Sequence, residues 1–201
     1  KESGELYNCS CFLNWASMRM NMIDSKKLGI SSTCVHVGEV KDEQFKGAVS
    51  PIYMSTSYAF DGVDVKRYPR YYNTPNQEML CKKIAALENT EDALIFSSGM
   101  AAISSAMLAF LKRGDHVIVQ QVIYGGTYNF IVSEFDKYGI EYSFTESDKA
   151  DDFKSLIKEN TKILYIETPS NPLLGITDMQ AITDLAKEKS ILTMIDNTFA
   201  S

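Results

Sequence analysis

Residues 162–198, KILYIETPSNPLLGITDMQAITDLAKEKSILTMIDNT, decide the fold. Two apolar runs, KILYIE (162–167) and ILTMI (191–195), have the length and composition of buried strands. Between them DMQAITDLAKEKS (178–190) has helical periodicity and is opened by an N-capping Thr177 or Asp178. Each strand ends on an acid, Glu167 and Asp196, and a turn follows each.

The alternation extends towards the N-terminus. IEYSF (140–144), HVIVQQ (116–121) and ALIF (93–96) read as strands. DDFKSLIKEN (151–160), TYNFIVSEFDKYG (127–139, stopped by Gly139) and GMAAISSAMLAFL (99–111) read as helices, and Tyr128 has the spacing of a core residue. QEMLCKKIAALEN (77–89) puts Met79, Leu80, Ile84 and Leu87 on one helical face. Near-continuous apolar strands alternating with helices predict an α/β fold, a mainly parallel sheet with helices on both faces. Residues 22–75, with short segments, SP and YP turns and many aromatics, read as an extended arm laid on another surface. Residues 1–21 read as a leader or disordered arm and lie outside the fold argument, and residues 76–201 carry the main domain.

Composition narrows the function. Of 201 residues 45% are hydrophobic and 23% charged, ordinary for a globular protein. The net charge of −6, with few arginines, argues against a nucleic-acid surface. AAISSAMLAFL (101–111), the longest apolar run, is too short to cross a bilayer and reads as a buried helix. Cys9 and Cys11 form a C-x-C with no second ligand pair, so no zinc site is expected; with Cys34 and Cys81 they read as free thiols of a reducing cytoplasm.

In an open α/β sheet ligands gather beyond the carboxyl ends of the strands. IFSSGMAAI (95–103) would leave backbone N–H groups free at a helix start, ready for an anion, or would simply cap that helix. It is neither a G-x-G-x-x-G nor a P-loop, which counts against nucleotide sites. VIYGGTY (122–128) offers Tyr124 at such an edge, either as a core aromatic or as a ring that stacks on a flat ligand. In ETPSNPLLG (167–175) two prolines fix a loop that aims Asn171, and Thr168–Pro169 or Asn171–Pro172 is a candidate cis bond. Asp196 either caps the turn after its strand or faces a cationic ring nitrogen, the partner that pyridoxal phosphate needs.

In this order SSGMAA, YGGTYN, ETPSNPLL and IDNTFAS resemble the Cys/Met-metabolism family of pyridoxal-phosphate enzymes, and the likeness runs from about Thr33 to Ser201. The family includes cystathionine γ-synthase and γ-lyase, methionine γ-lyase and the acylhomoserine sulfhydrylases. The resemblance implies the type I, aspartate-aminotransferase-like fold and pyridoxal 5'-phosphate as cofactor. It implies that Gly99 and Met100 give backbone donors to the phosphate and that Tyr124 stacks on the ring and serves the leaving group. Glu167 and Asn171 match the loop beside the ring, Asp196 the partner of the ring nitrogen, and Thr198 a residue beneath the ring. Tyr68 and Arg70, in RYPRYYNTPNQ (67–77), match residues that reach the phosphate of a neighbouring subunit, although Asn73-Thr74-Pro75 departs from the usual Asn-Pro-Thr order.

The chain stops before the segment that carries the family's Schiff-base lysine, and before the C-terminal small domain; Lys187 and Lys189, at a helix end, are no substitutes. Methionine γ-lyases usually carry Cys where Gly126 stands. What the resemblance implies is a trans-sulfuration enzyme acting by γ-replacement or β/γ-elimination, of the cystathionine γ-synthase or γ-lyase type. The sulfhydrylase and methionine γ-lyase activities are the alternatives, and a non-catalytic fragment is a reading of a different class. Partners would be a sulfur amino acid or acylhomoserine substrate and further copies of the chain, as a cytoplasmic homotetramer of active dimers.

Overall fold

The computed structural model describes residues 28–200; residues 1–27, with the expected leader and the C-x-C cysteines, and Ser201 lie outside the described residues. The chain divides into two compact units, up to Ile95 and from Phe96 onward.

In the first unit a short helix α1 (Ile30–His36) packs against α2 (Pro75–Leu87). Thr74 and Gln77 form a capping box at the start of α2, and Pro75 takes the first helical position, where no N–H is needed. The Asn-Thr-Pro order thus serves as a helix start. Asn73 Oδ1 accepts from Tyr68 N at 3.0 Å and its amide donates to Lys66 O at 2.8 Å, closing the loop around the 3-10 turn Pro69–Tyr71. Ion pairs Arg67–Glu78 (2.8 Å) and Lys83–Glu39 (2.7 Å) tie α2 to the preceding segment. These ties join α2 to residues read from the sequence as the arm, and α2 lies in the unit that ends at Ile95. The buried positions of α2 are Cys81 and Ala85; Leu80 and Ile84 are exposed. The apolar face read from the sequence is therefore offset by one residue from the face that packs.

The second unit is a four-stranded parallel sheet of β1 (His116–Val119), β2 (Glu141–Phe144), β3 (Thr161–Glu167) and β4 (Leu192–Asp196), in the order β2-β1-β3-β4. Helices α3 (Gly99–Phe110) and α4 (Gly125–Tyr138) cover one face, where Met107, Ile131 and Phe135 pack on Val117, Val119, Ile163 and Tyr165. Helices α5 (Ala150–Ser155) and α6 (Met179–Lys189) cover the other, where Phe153, Ile182 and Leu185 pack on Ile118, Leu164 and Ile166. The distribution follows from the hand of parallel crossovers. The step β1→β2 runs one way along the sheet and the next two run the other way, so α4 lies opposite α5 and α6. Strands covered on both faces need no polar side, which is why β1 is buried at every position.

Three further expectations change. Residues 93–96 form no strand, because no described segment pairs with them and a ladder needs a partner. Helix α5 ends at Ser155, and the following residues turn into β3, with Lys158 N–H donating to Thr161 Oγ1 at 2.8 Å. Tyr128 is 45% exposed: the buried stripe of α4 is Thr127, Ile131 and Phe135, spaced i, i+4, i+8, and Tyr128 stands one step off it, against Phe144. Gly139 ends α4 in the left-handed conformation (φ 68°), as its type and position predict.

Candidate active site

The sheet order places a topological switch point between β1 and β3, since the chain leaves β1 towards β2 and leaves β3 towards β4. Ligands of such sheets bind in the crevice beyond the carboxyl ends there. The segments that cross this rim begin at Tyr124, after β1, and at Thr168, after β3. The start of α3 and the end of β4 join them through side-chain contacts.

Glu167, the last residue of β3, is 4% exposed. Its Oε2 accepts the N–H of Tyr124 and its Oε1 the N–H of Asn171, both at 2.7 Å. One carboxylate thus pins the loops after β1 and β3. Burial foremost, and the charge of Asp196, push its pKa above the ordinary carboxyl range, against the pull of the two N–H bonds. Behind it Gln120, 3% exposed, donates to Glu167 O at 3.1 Å and accepts from Thr177 Oγ1 at 2.9 Å. The Thr168–Pro169 and Asn171–Pro172 bonds are both cis. Asn171 is half-buried, and its side-chain amide has no hydrogen-bond partner among the described residues.

Tyr124 caps α4, with its ring 45% exposed and its hydroxyl without a partner among the described residues. Gly126 makes room for that ring: a Cβ there would lie 2.4 Å from Tyr124 Cε1 and 3.1 Å from Met100 Sδ. Met100 also lies 3.9 Å from the Thr127 hydroxyl, which brings the start of α3 against the start of α4. Ser98 caps α3 by accepting from Ala101 N–H at 3.1 Å; the N–H groups of Gly99 and Met100 have no acceptor among the described residues. A Cβ on Gly99 would meet nothing within 4 Å.

Asp196 closes the rim from β4. Its Oδ1 accepts the N–H of Thr198 at 3.1 Å and its hydroxyl at 2.6 Å, so the turn-capping role is present. Its Oδ2 accepts from the buried phenol of Tyr165 at 3.3 Å. Of the residues read from the sequence, the structure joins Met100, Tyr124, Glu167, Asn171, Asp196 and Thr198 into one connected rim, with Gly99 beside Met100. Tyr68 and Arg70 belong to the first unit, exposed at the 3-10 turn. Gln120, Thr127 and Tyr165 escaped the sequence reading. Each sits inside an element read as core, and the available signal was a polar group in a run that must otherwise be apolar. A depression of about 520 Å³, lined by residues including Gly139, Glu141 and Lys158, lies at the amino ends of the strands, away from this rim.

The sheet and its covering helices have the type I pyridoxal-phosphate fold, as superposition on solved structures shows. The chain superposes on metB from Corynebacterium glutamicum with a TM-score of 0.84 and 36% identity, covering 89% of this chain and 47% of that one. It superposes on cystathionine γ-lyase from Lactobacillus plantarum with a TM-score of 0.80 and 32% identity, covering 87% and 46%. Residues 31–201 match the model of the Cys/Met metabolism PLP-dependent enzyme family, and the chain belongs to that family. It is 45% identical to cystathionine β-lyase MetC of Bacillus subtilis, over 76% of this chain and 40% of that protein. It is 37% identical to L-methionine γ-lyase of Fusobacterium nucleatum subsp. polymorphum, over 89% and 48%. The chain therefore spans about half the length of the relatives it matches.

Proposed function

We propose that the chain carries the cofactor-binding rim of a pyridoxal-phosphate enzyme acting on sulfur amino acids, of the cystathionine γ-synthase or γ-lyase type. The observation that carries this reading is the shared rim: free donors at the start of α3, the ring of Tyr124 and the carboxylate of Asp196 are joined by contacts at the sheet's switch point. The residues suit the group. The N–H groups of Gly99 and Met100 would hold the phosphate at a helix start, where anions are favoured. Tyr124 would stack on the pyridine, with room kept by Gly126. Asn171 would meet the phenolic oxygen, Asp196 would keep the ring nitrogen protonated, and Thr198 would lie beneath the ring while steadying that acid.

When bound, pyridoxal phosphate supplies an electron sink for a substrate carbanion. The chain's own part is positioning: Glu167 sets both flanking loops and Tyr124 presents a hydroxyl that holds a proton for the leaving group. Tyr68 and Arg70 would reach the phosphate of a second copy through the arm, where the forked guanidinium suits an anion. Such a reach would make the active unit a dimer; the homotetramer of such dimers rests on the family resemblance alone.

The test uses the full-length gene product. Its intact mass separates a 22.5 kDa polypeptide from one about twice that size. Loading with cofactor should give a visible absorption band, borohydride should fix the cofactor covalently, and Asp196→Ala should lose turnover. A panel of cystathionine, methionine and acylated homoserine with a thiol then separates the cystathionine enzymes from methionine γ-lyase and the sulfhydrylases. A protein that takes up no cofactor, or an Asp196→Ala variant with full elimination activity, refutes the proposal.

A further inference from the structure

We infer that Tyr165, backed by Thr127, is a positioning residue that fixes the plane of the Asp196 carboxylate; the inference rests on the cofactor reading above. Tyr165 lies in β3, 1% exposed, within the apolar cluster between the sheet and helices α3 and α4. A phenol there must find partners, and packing alone would be served as well by phenylalanine. It donates to Asp196 Oδ2 at 3.3 Å, and the hydroxyl of Thr127, itself fully buried in the first turn of α4, sits close enough to act on the phenol.

The geometry answers a specific need. The terminal torsion of an aspartate is broad, so a carboxylate held at one oxygen still swings. Thr198 holds Oδ1 through both its N–H and its hydroxyl. Tyr165 holds Oδ2 from the opposite element, and with both oxygens engaged the plane is set. Thr127 closes the path, because its hydroxyl also lies 3.9 Å from Met100 Sδ at the start of α3. A line of contacts, Met100–Thr127–Tyr165–Asp196–Thr198, therefore runs beneath the rim from the phosphate end to the acid. It couples the helix that presents Tyr124 to the group that would face the ring nitrogen.

The test is cofactor binding by the full-length apoprotein, titrated with pyridoxal phosphate and followed by visible absorption across pH. Tyr165→Phe should raise the dissociation constant about tenfold and shift the pH at which the absorption band titrates. Thr127→Val should raise it about threefold, Thr127→Ser should behave as wild type, and the double variant Tyr165→Phe/Thr127→Val should be no worse than Tyr165→Phe alone. A merely structural role would lower the apoprotein melting temperature and leave the spectrum and its pH dependence unmoved. Wild-type binding matched by Tyr165→Phe, with an unchanged spectrum, overturns the inference and leaves the cofactor reading standing. A wild-type protein that binds no cofactor removes that reading, and the inference with it. If Tyr165→Phe does not fold, equal dissociation constants for Thr127→Val and Thr127→Ser overturn the inference.

Discussion

Replacing Gly126 with alanine should separate the stability of the fold from the integrity of the site. Gly126 is the second residue of α4, and its φ is not positive, so alanine is conformationally admissible there. The added Cβ would fall 2.4 Å from Tyr124 Cε1 and 3.1 Å from Met100 Sδ. Carbon atoms in contact settle at roughly 3.5–4.0 Å, so the ring must retreat by at least about 1 Å. It can do so, being half-exposed with no hydrogen bond on its hydroxyl among the described residues. The helix meanwhile gains up to about 1 kcal/mol from replacing glycine, which a strained tyrosine rotamer of about 0.5–1.5 kcal/mol offsets. Apoprotein stability should therefore stay within about 1 kcal/mol of wild type, or about 2–4 °C in Tm. Cofactor affinity should fall about tenfold, because losing an aromatic stack costs about 1–3 kcal/mol. Thermal melts of the apoprotein and pyridoxal-phosphate titrations of the full-length gene product measure both quantities, with Tyr124→Ala as the benchmark for a lost ring. Gly125→Ala is the control, since a Cβ there meets nothing within 4 Å. If Gly126→Ala binds cofactor as tightly as Gly125→Ala, the ring position is irrelevant to binding and the stacking role of Tyr124 falls.

Asp196→Ala should retain the fold yet lose cofactor-dependent turnover by at least about a hundredfold, since in the proposed reading it removes a charge that would face the reacting system; single-turnover kinetics at saturating cofactor check this, and a loss under tenfold argues against the acid's role. Glu167→Gln should act oppositely, lowering Tm through a buried loss of about 1–3 kcal/mol, because an amide has only one oxygen for the two N–H groups of Tyr124 and Asn171; an unchanged melt would show that the loops are held by other means. His116, buried between Thr161 Oγ1 and Ser143 Oγ at 2.9 Å each, should make the fold acid-sensitive. Burial and then Lys158 hold its pKa below the ordinary value, opposed by Glu141, so the unfolded chain gains its proton at higher pH than the folded one. That stability is present above about pH 6.5 and is lost as pH falls from there towards the folded value. Urea midpoints at neutral and mildly acid pH should therefore diverge more in wild type than in His116→Gln, and equal divergence would refute the assignment.

The legible part of the fold was the part fixed by local pattern. Helices α4 and α6 were readable because a cap, an apolar stripe and a helix-ending residue agree at Gly139 and Asp178. The strands β1 and β3 were readable because two-sided burial leaves unbroken apolar runs. What failed depended on partners distant in sequence. ALIF at 93–96 has strand composition but no ladder among the described residues, and no local signal reports that. Tyr128 and Leu80 sit one step off the faces that pack, a difference of about 100° that an apolar residue type does not encode. In the site, the positions of Tyr124, Asn171 and Asp196 followed from the rule of carboxyl ends. The assignment of Glu167 to the ring's surroundings followed from resemblance, whereas its observed bonds run to two main chains. Tyr165 was hidden because an aromatic in a strand reads as core, which it also is.

The two acids of the rim show why position at a strand end does not settle role. Glu167 and Asp196 are register partners on adjacent parallel strands, so chain pattern alone treats them alike. Their surroundings divide them. Glu167 is sunk to 4% exposure with both oxygens spent on N–H groups, and the charge of its neighbour raises its pKa further. Each of its oxygens already accepts an N–H from a flanking loop. Asp196 stands half-buried at the rim, held by two hydroxyls and one N–H, an arrangement that orients a carboxylate without enclosing it. Two like charges on neighbouring strands repel, and the fold answers by giving one a structural cage and leaving the other to a cation. In the proposed reading a protonated pyridine nitrogen would be such a cation, so the site's chemistry would fall to Asp196 and the site's shape to Glu167.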